Sequence, residues 1–296
     1  MTTTTKLGHD PANYWTYDGE TGTIDLTRGT GDSTQHVTLQ TTTNPIRVNP
    51  ATTALVIIDM QNYFLSPALR PPTDGATTLS AGQRAAANLL GSAIPGARAH
   101  GIPVVWLNWG LSEEDLRTMP PAIVRTMGRY NAGATSSNAS DMVRTKDPAV
   151  YRGLGEDLGS VPLEDGTVVE GGRILMEDTW NAGLYGELDE EYRRHAGDSR
   201  DADVVVNKDR MSGLWGSGTQ LERHLLERGI TTLLFAGVNT DQCVGSTLTD
   251  AFSKGYDCVL LRDGTATTSP AAASEAWEYN CTNSWGFVMT CEALNA

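Results

Sequence analysis

The sequence predicts an α/β fold: a three-layer αβα arrangement on a doubly wound, mainly parallel sheet. Three observations carry this. Short apolar runs recur at residues 54–58, 103–107, 202–206, 231–236 and 258–261, each without the polar alternation of a half-exposed strand. Stretches with helical spacing follow or separate them, as strand–helix alternation requires. The chain has 296 residues, enough to bury a large single core.

Taken in order, residues 1 to about 50 are rich in threonine and turn formers, with Tyr14, Trp15 and Tyr17 as anchors and residues 23–26 as a short strand. This segment reads as an N-terminal arm lying on the body of the fold, or as one reaching a neighbouring subunit. Residues 51–296 form the main domain. Its first strand is Ala54-Leu-Val-Ile-Ile58, followed by a helix over 79–100 with a break at Pro95-Gly96. The second strand is residues 103–107. Residues 110–200 are polar and irregular, an insertion whose one regular feature is a hairpin over 161–169 turning at Asp165-Gly166. Strand 202–206, helix 217–228 and strand 231–236 come next. Helix 244–254 then places Val244, Leu248, Ala251 and Phe252 on one face, before strand 258–261 and a helix beginning near Pro270.

Composition excludes several classes. Lys+Arg 22 against Asp+Glu 36 leaves a net charge of −14, which repels nucleic acid and anionic membranes. No run of 18 apolar residues offers a membrane span, and the start carries no basic segment followed by an apolar one. Cys243, Cys258, Cys281 and Cys291 match no zinc spacing and are too few for a disulfide scaffold. The five histidines are scattered, with no i, i+4 pair. The expectation is a cytoplasmic protein with free thiols, no metal and no cofactor, acting on a small molecule.

Open parallel sheets bind ligands beyond the carboxyl ends of their strands. Three reactive side chains fall there: Asp59, Lys208 and Cys243. Singly, each has a plain structural explanation as a loop cap, a solvated strand end or a small buried residue. Together they make a nucleophile with its supports. The turn Gly237-Val-Asn-Thr-Asp-Gln-Cys243 places Cys243 on the first turn of the next helix, where backbone N–H groups favour a thiolate. An ammonium from Lys208 would lower the thiol pKa further, and Asp59 could accept its proton.

Three segments carry a resemblance: Ala54-Leu-Val-Ile-Ile-Asp-Met-Gln-Asn-Tyr-Phe64, Val206-Asn-Lys-Asp-Arg-Met-Ser212 and Ala236-Gly-Val-Asn-Thr-Asp-Gln-Cys-Val244. Over residues 51 to 275 the chain resembles the isochorismatase-like hydrolase superfamily. The resemblance implies a triad of Asp59, Lys208 and Cys243. It also implies a cis peptide between Val238 and Asn239, aiming the Asn239 N–H beside that of Cys243 as an oxyanion hole. It further implies assembly into a homo-oligomer. Nicotinamidases of the family carry metal-binding histidines shortly after the first motif; none stands here before Leu79, which argues against nicotinamide and a metal. True isochorismatases lack the nucleophilic cysteine, so Cys243 favours the amide-cleaving branch.

Phe64, Asn108, Trp109, Trp180, Asn181 and Trp215 are candidate substrate contacts, their alternative being core or interface packing. Aromatic walls with amide groups suit a small planar amide, ureide, or cyclic imide or lactam. The expected reaction is C–N hydrolysis through a thioester. The alternatives are ether or ester hydrolysis without a covalent intermediate, and a catalytically silent binding protein on the same fold.

Overall fold

The computed structural model describes residues 4–70, 79–127, 152–197 and 202–295. Five short strands open the chain: β1 (Thr4–Leu7), β2 (Trp15–Asp18), β3 (Ile24–Asp25), β4 (Val37–Leu39) and β5 (Ile46–Val48). They form a sheet in the order β1-β2-β3-β5-β4. Its apolar residues Leu26, Leu39, Ile46 and Val48 are buried in the same core as Leu55 and Trp106 of the main sheet. A polar joint seals the contact: Arg28 grips the buried carboxylate of Asp257 with both Nη atoms, at 2.7 and 2.8 Å, and Trp15 Nε1 donates to it at 2.8 Å.

The main domain begins with β6 (Thr53–Ile58), a single helical turn α1 (Asn62–Leu65), α2 (Ala81–Asn88), α3 (Ile94–Ala99) and β7 (Val104–Trp109). Next come α4 (Glu113–Thr118), α5 (Pro121–Met127), the hairpin of β8 (Ser160–Pro162) and β9 (Val168–Glu170), and α6 (Glu187–His195). The last part alternates: β10 (Val204–Lys208), α7 (Gln220–Arg228), β11 (Thr232–Val238), α8 (Gly245–Ser253), β12 (Asp257–Ala266), α9 (Ala271–Asn280) and β13 (Phe287–Met289). The six strands of the main sheet lie in the order β10-β7-β6-β11-β12-β13, every neighbouring pair parallel.

The apolar runs explain the layering. All six residues of β6 are buried. Ala54, Val56 and Ile58 point into one core with Leu221, Leu225, Val244 and Leu248 of α7 and α8. Leu55 and Ile57 point into the other, with Ala85, Ala86, Ile94 and Ala97 of α2 and α3. Period-two alternation thus fills both faces, and each buried Val, Leu or Ile contributes about 1.5–3 kcal/mol.

Several expectations are corrected. The helix over 79–100 is not broken at Pro95; a wide π-type turn over Leu89–Ala93 precedes it and shifts the hydrogen-bond register before the residue that lacks an N–H. The strand expected at 202–206 runs from Val204 to Lys208, because the Asp203 backbone pairs instead with the segment after α6, its N–H donating to His195 O at 3.0 Å. Phe252 does not share the buried face of α8. It is 45% exposed, since eight residues from Val244 a helix has drifted by about 80°. The 110–200 stretch is less irregular than expected, holding α4, α5 and α6; its residues 128–151 and 198–200 lie outside the described ones.

Candidate active site

The strand ends converge on one spot. Asp59 follows β6 in a left-handed conformation (φ 55°), its N–H donating to Leu107 O at 2.9 Å. This bend turns the carboxylate back over the sheet edge. Lys208 ends β10 opposite Trp109 of β7. Its Nζ lies 3.1 Å from Asp59 Oδ2, with both side chains at most 2% exposed. The same ammonium sits 4.0 Å from the centre of the Trp109 ring and donates to Arg210 O at 3.1 Å. Lys208 thus has a counter-charge, a π face and a carbonyl, which suits a buried cation.

Cys243 arrives from β11. Gly237 (φ 109°) is needed there, because a Cβ would stand 2.0 Å from Ile58 O, so only glycine lets β11 run this close to the end of β6. The Val238–Asn239 peptide is cis, and residues 240–244 make a wide turn leading into α8. Cys243 lies in that turn, buried, with its thiol beside the Asp59 carboxylate and its Sγ 3.5 Å from Met211 Sδ. The structure therefore brings Asp59, Lys208 and Cys243 together from three separate strand ends.

The electrostatics correct one expectation. A lowered thiol pKa was expected from the turn and from Lys208. Burial instead pushes the Cys243 thiol up to about 12, and the Asp59 charge adds to this, while Lys208 and the Trp109 indole only partly oppose it. Burial likewise raises Asp59 above the usual carboxylate range, against the pull of Lys208. Proton donor and acceptor are thereby held side by side in one buried cluster.

Trp109 belongs to this cluster. Its backbone N–H is shared between Asp59 Oδ1 (3.2 Å) and Gln61 Oε1 (3.0 Å), and its buried indole N–H meets no acceptor in full hydrogen-bond geometry among the described residues. Gln61, fully buried, also donates to Trp109 O at 2.7 Å and to Ala182 O at 2.6 Å, so it fixes the strand end carrying Trp109. Gln61 and Met211 were not singled out from the sequence; both lie within the quoted segments, two residues after Asp59 and three after Lys208.

The other candidates scatter. Phe64 packs edge-on against Tyr63, with ring centres 5.1 Å apart. Asn108 alternates away from Trp109 and lines a cavity of about 210 Å³ with Tyr192 and Val205. Trp180 lines another, of about 660 Å³, its carbonyl held by Asn62 Nδ2. Asn181 is no substrate contact: its amide is spent on Leu175 N–H and on the carbonyls of Gly171 and Arg173. Trp215 is 52% exposed and donates to Asp209 Oδ1, beneath the Arg210 guanidinium.

Comparison with known proteins meets this geometry. Residues 172–292 match the family model of the Isochorismatase domain. Ureidoacrylate amidohydrolase RutB of Pseudomonas syringae pv. syringae (strain B728a) is 31% identical over 248 residues, covering 84% of each chain. The chain belongs to the isochorismatase-like hydrolase superfamily. A second superfamily relative, ureidoacrylate amidohydrolase RutB of Methylobacterium radiotolerans, is 29% identical over 260 residues, covering 88% of this chain and 84% of its own. The crystal structure of a cysteine hydrolase from Pseudomonas syringae pv. phaseolicola 1448A shares the superfamily fold, with a TM-score of 0.51 at 18% identity over 83% of this chain and 92% of that one.

Proposed function

We propose that this chain is a cysteine-dependent amidohydrolase cleaving a C–N bond of a small amide, ureide, or cyclic imide or lactam through a thioester on Cys243. The observation that carries the reading is the buried thiol beside a carboxylate that is itself paired with a buried ammonium. The relatives named as ureidoacrylate amidohydrolases support a ureide as the first class to try.

At rest the pair is thiol and carboxylate. When substrate arrives, Asp59 takes the Cys243 proton, and the negative charge moves from oxygen to sulfur while staying beside Lys208. No net charge is buried in that transfer, and the raised pKa of Asp59 narrows the gap to the thiol. The sulfur attacks the carbonyl carbon, and the backbone N–H groups of Asn239 and Cys243 receive the oxyanion. Asp59 then gives its proton to the leaving nitrogen, the C–N bond breaks and a thioester remains. Water adds to the thioester as Asp59 takes its proton; the acid leaves and the proton returns to sulfur.

The raised Asp59 also favours a second reading, in which it protonates an ether or ester oxygen as a general acid with no covalent step. One experiment separates the two. Wild type and Cys243→Ala are assayed against ureides including ureidoacrylate, simple amides, lactams and hydroxamates, with vinyl ethers alongside. C–N turnover by the wild type alone supports the proposal; equal turnover by both proteins removes it.

Assembly into a homo-oligomer, checked by light scattering, is part of the same proposal. So is a cytoplasmic location, supported by four unpaired cysteines and checked by fractionation. Among the described residues no helix is long and apolar enough to cross a membrane.

A further inference from the structure

A cavity of about 790 Å³ lies far from the strand ends that carry Asp59, Lys208 and Cys243. It opens at the amino ends of the main strands, where Pro103 and Ile230 precede β7 and β11, and where Gln35, His36 and Thr38 of the N-terminal sheet close over them. Its volume is that of a small-molecule site.

Charge makes it unusual. The protein carries 36 acidic side chains and a net charge of −14, yet the described residues lining this cavity include no aspartate or glutamate. They do include two of the five histidines, His36 and His100, together with Arg228. These three come from separate places: the end of the short turn before β4, the end of α3 and the last turn of α7. Each is half-buried. Neither Arg228 nor His100 makes a side-chain hydrogen bond or ion pair among the described residues, and no carboxylate is paired with them. His36 spends one ring nitrogen on Thr30 O at 2.8 Å, leaving the other free. The nearby Asp32 carboxylate is committed to the N–H and hydroxyl of Thr34.

An unpaired guanidinium and two imidazoles lining one cavity, with the Asp32 carboxylate beside His36 but no carboxylate in the lining itself, form a donor set suited to an oxyanion. Arginine supplies a planar fork matched to phosphate and His100 can add an N–H, while His36, whose Nε2–H is spent on Thr30 O, adds one at Nδ1 only as the imidazolium. The cavity has room for more than the anion, and the hydroxyl and amide groups of Thr38 and Gln35 can meet a polar remainder. We propose that this seam cavity binds a small phosphorylated metabolite and that the bound anion ties the N-terminal sheet to α3 and α7. This site is separate from the proposed thioester chemistry.

The test uses the full chain with inorganic phosphate and with pyrophosphate as probes, at fixed ionic strength. Calorimetry is expected to show saturable one-to-one binding, and the imidazole NMR signals of His36 and His100 to shift while those of His9 and His195 stay. Arg228→Gln should weaken binding at least about tenfold, as loss of a charge-assisted contact does, while Arg84→Gln on a distant surface should leave it unchanged. Should any variant fold poorly, the histidine signals of the wild type still decide. Absence of saturable binding by either probe, an adventitious anion held with no shift of His36 and His100, or equal affinity in Arg228→Gln would each overturn the proposal.

Discussion

Two buried carboxylates, Asp257 and Asp59, sit at opposite ends of the same sheet and are dressed very differently. Asp257 receives both Nη atoms of Arg28, the indole of Trp15 and the hydroxyl of Thr232, all at 2.7–2.9 Å. Asp203 repeats the pattern with Arg98 and the indole of Trp106. Asp59 has a lysine at 3.1 Å, one backbone N–H at 3.2 Å and a thiol. The first arrangement saturates the carboxylate and locks two parts of the molecule together. The second leaves proton affinity unspent in a dry site, which is what a base needs. Even the tryptophans follow this division: Trp15 and Trp106 donate to carboxylates, while the Trp109 indole is left for the sulfur.

Breaking the comparison at the thiol should have the largest effect. Cys243→Ala is expected to lower amide turnover by at least ~10⁴-fold, as removal of a nucleophile does, with thermal unfolding within a few degrees of wild type. Progress curves at high enzyme concentration check the first and calorimetry the second. Breaking it at the saturated end should do the reverse. Asp257→Ala strands a buried guanidinium, so urea unfolding should show a loss of about 3–5 kcal/mol, while the protein that remains folded keeps its turnover. Asn181→Ala leaves the buried Leu175 N–H unpaired, while the carbonyls of Gly171 and Arg173 keep other donors, and should cost about 1–3 kcal/mol in the same assay, again without a specific loss of turnover. The smallest effect sharpens the comparison. Trp109→Phe removes the indole that helps pull the thiol pKa down, so alkylation of Cys243 should move to higher pH and turnover should fall by a few fold, on the order of 1 kcal/mol or less.

Much of this was legible in the residues. Runs such as Ala54–Ile58 announce strands covered on both faces, and the end of such a run announces where chemistry can sit, which is how Asp59, Lys208 and Cys243 were picked. Other parts left no such mark. In α6 only Leu188 is buried, so its Glu- and Arg-rich sequence offers no apolar stripe. The strands of the N-terminal sheet are two to four residues long, too short for alternation to show. Asn181 looks like any loop amide until the carbonyls it satisfies are in place. The direction of the Cys243 pKa shift differs from the expectation because the turn and the lysine are visible in the sequence, whereas the depth of burial that outweighs them is a property of the packed fold.

The central claim, that Asp59 is the base for Cys243, is tested most directly by following iodoacetamide alkylation of Cys243 against pH in wild type and in Asp59→Asn, with turnover measured on the same samples. The Asp59 charge raises the thiol pKa, so its removal should move alkylation to lower pH. Turnover should nevertheless collapse, because nothing takes the thiol proton or returns it to the leaving nitrogen. An Asp59→Asn enzyme that keeps wild-type turnover, or whose thiol titrates as before, would contradict the account.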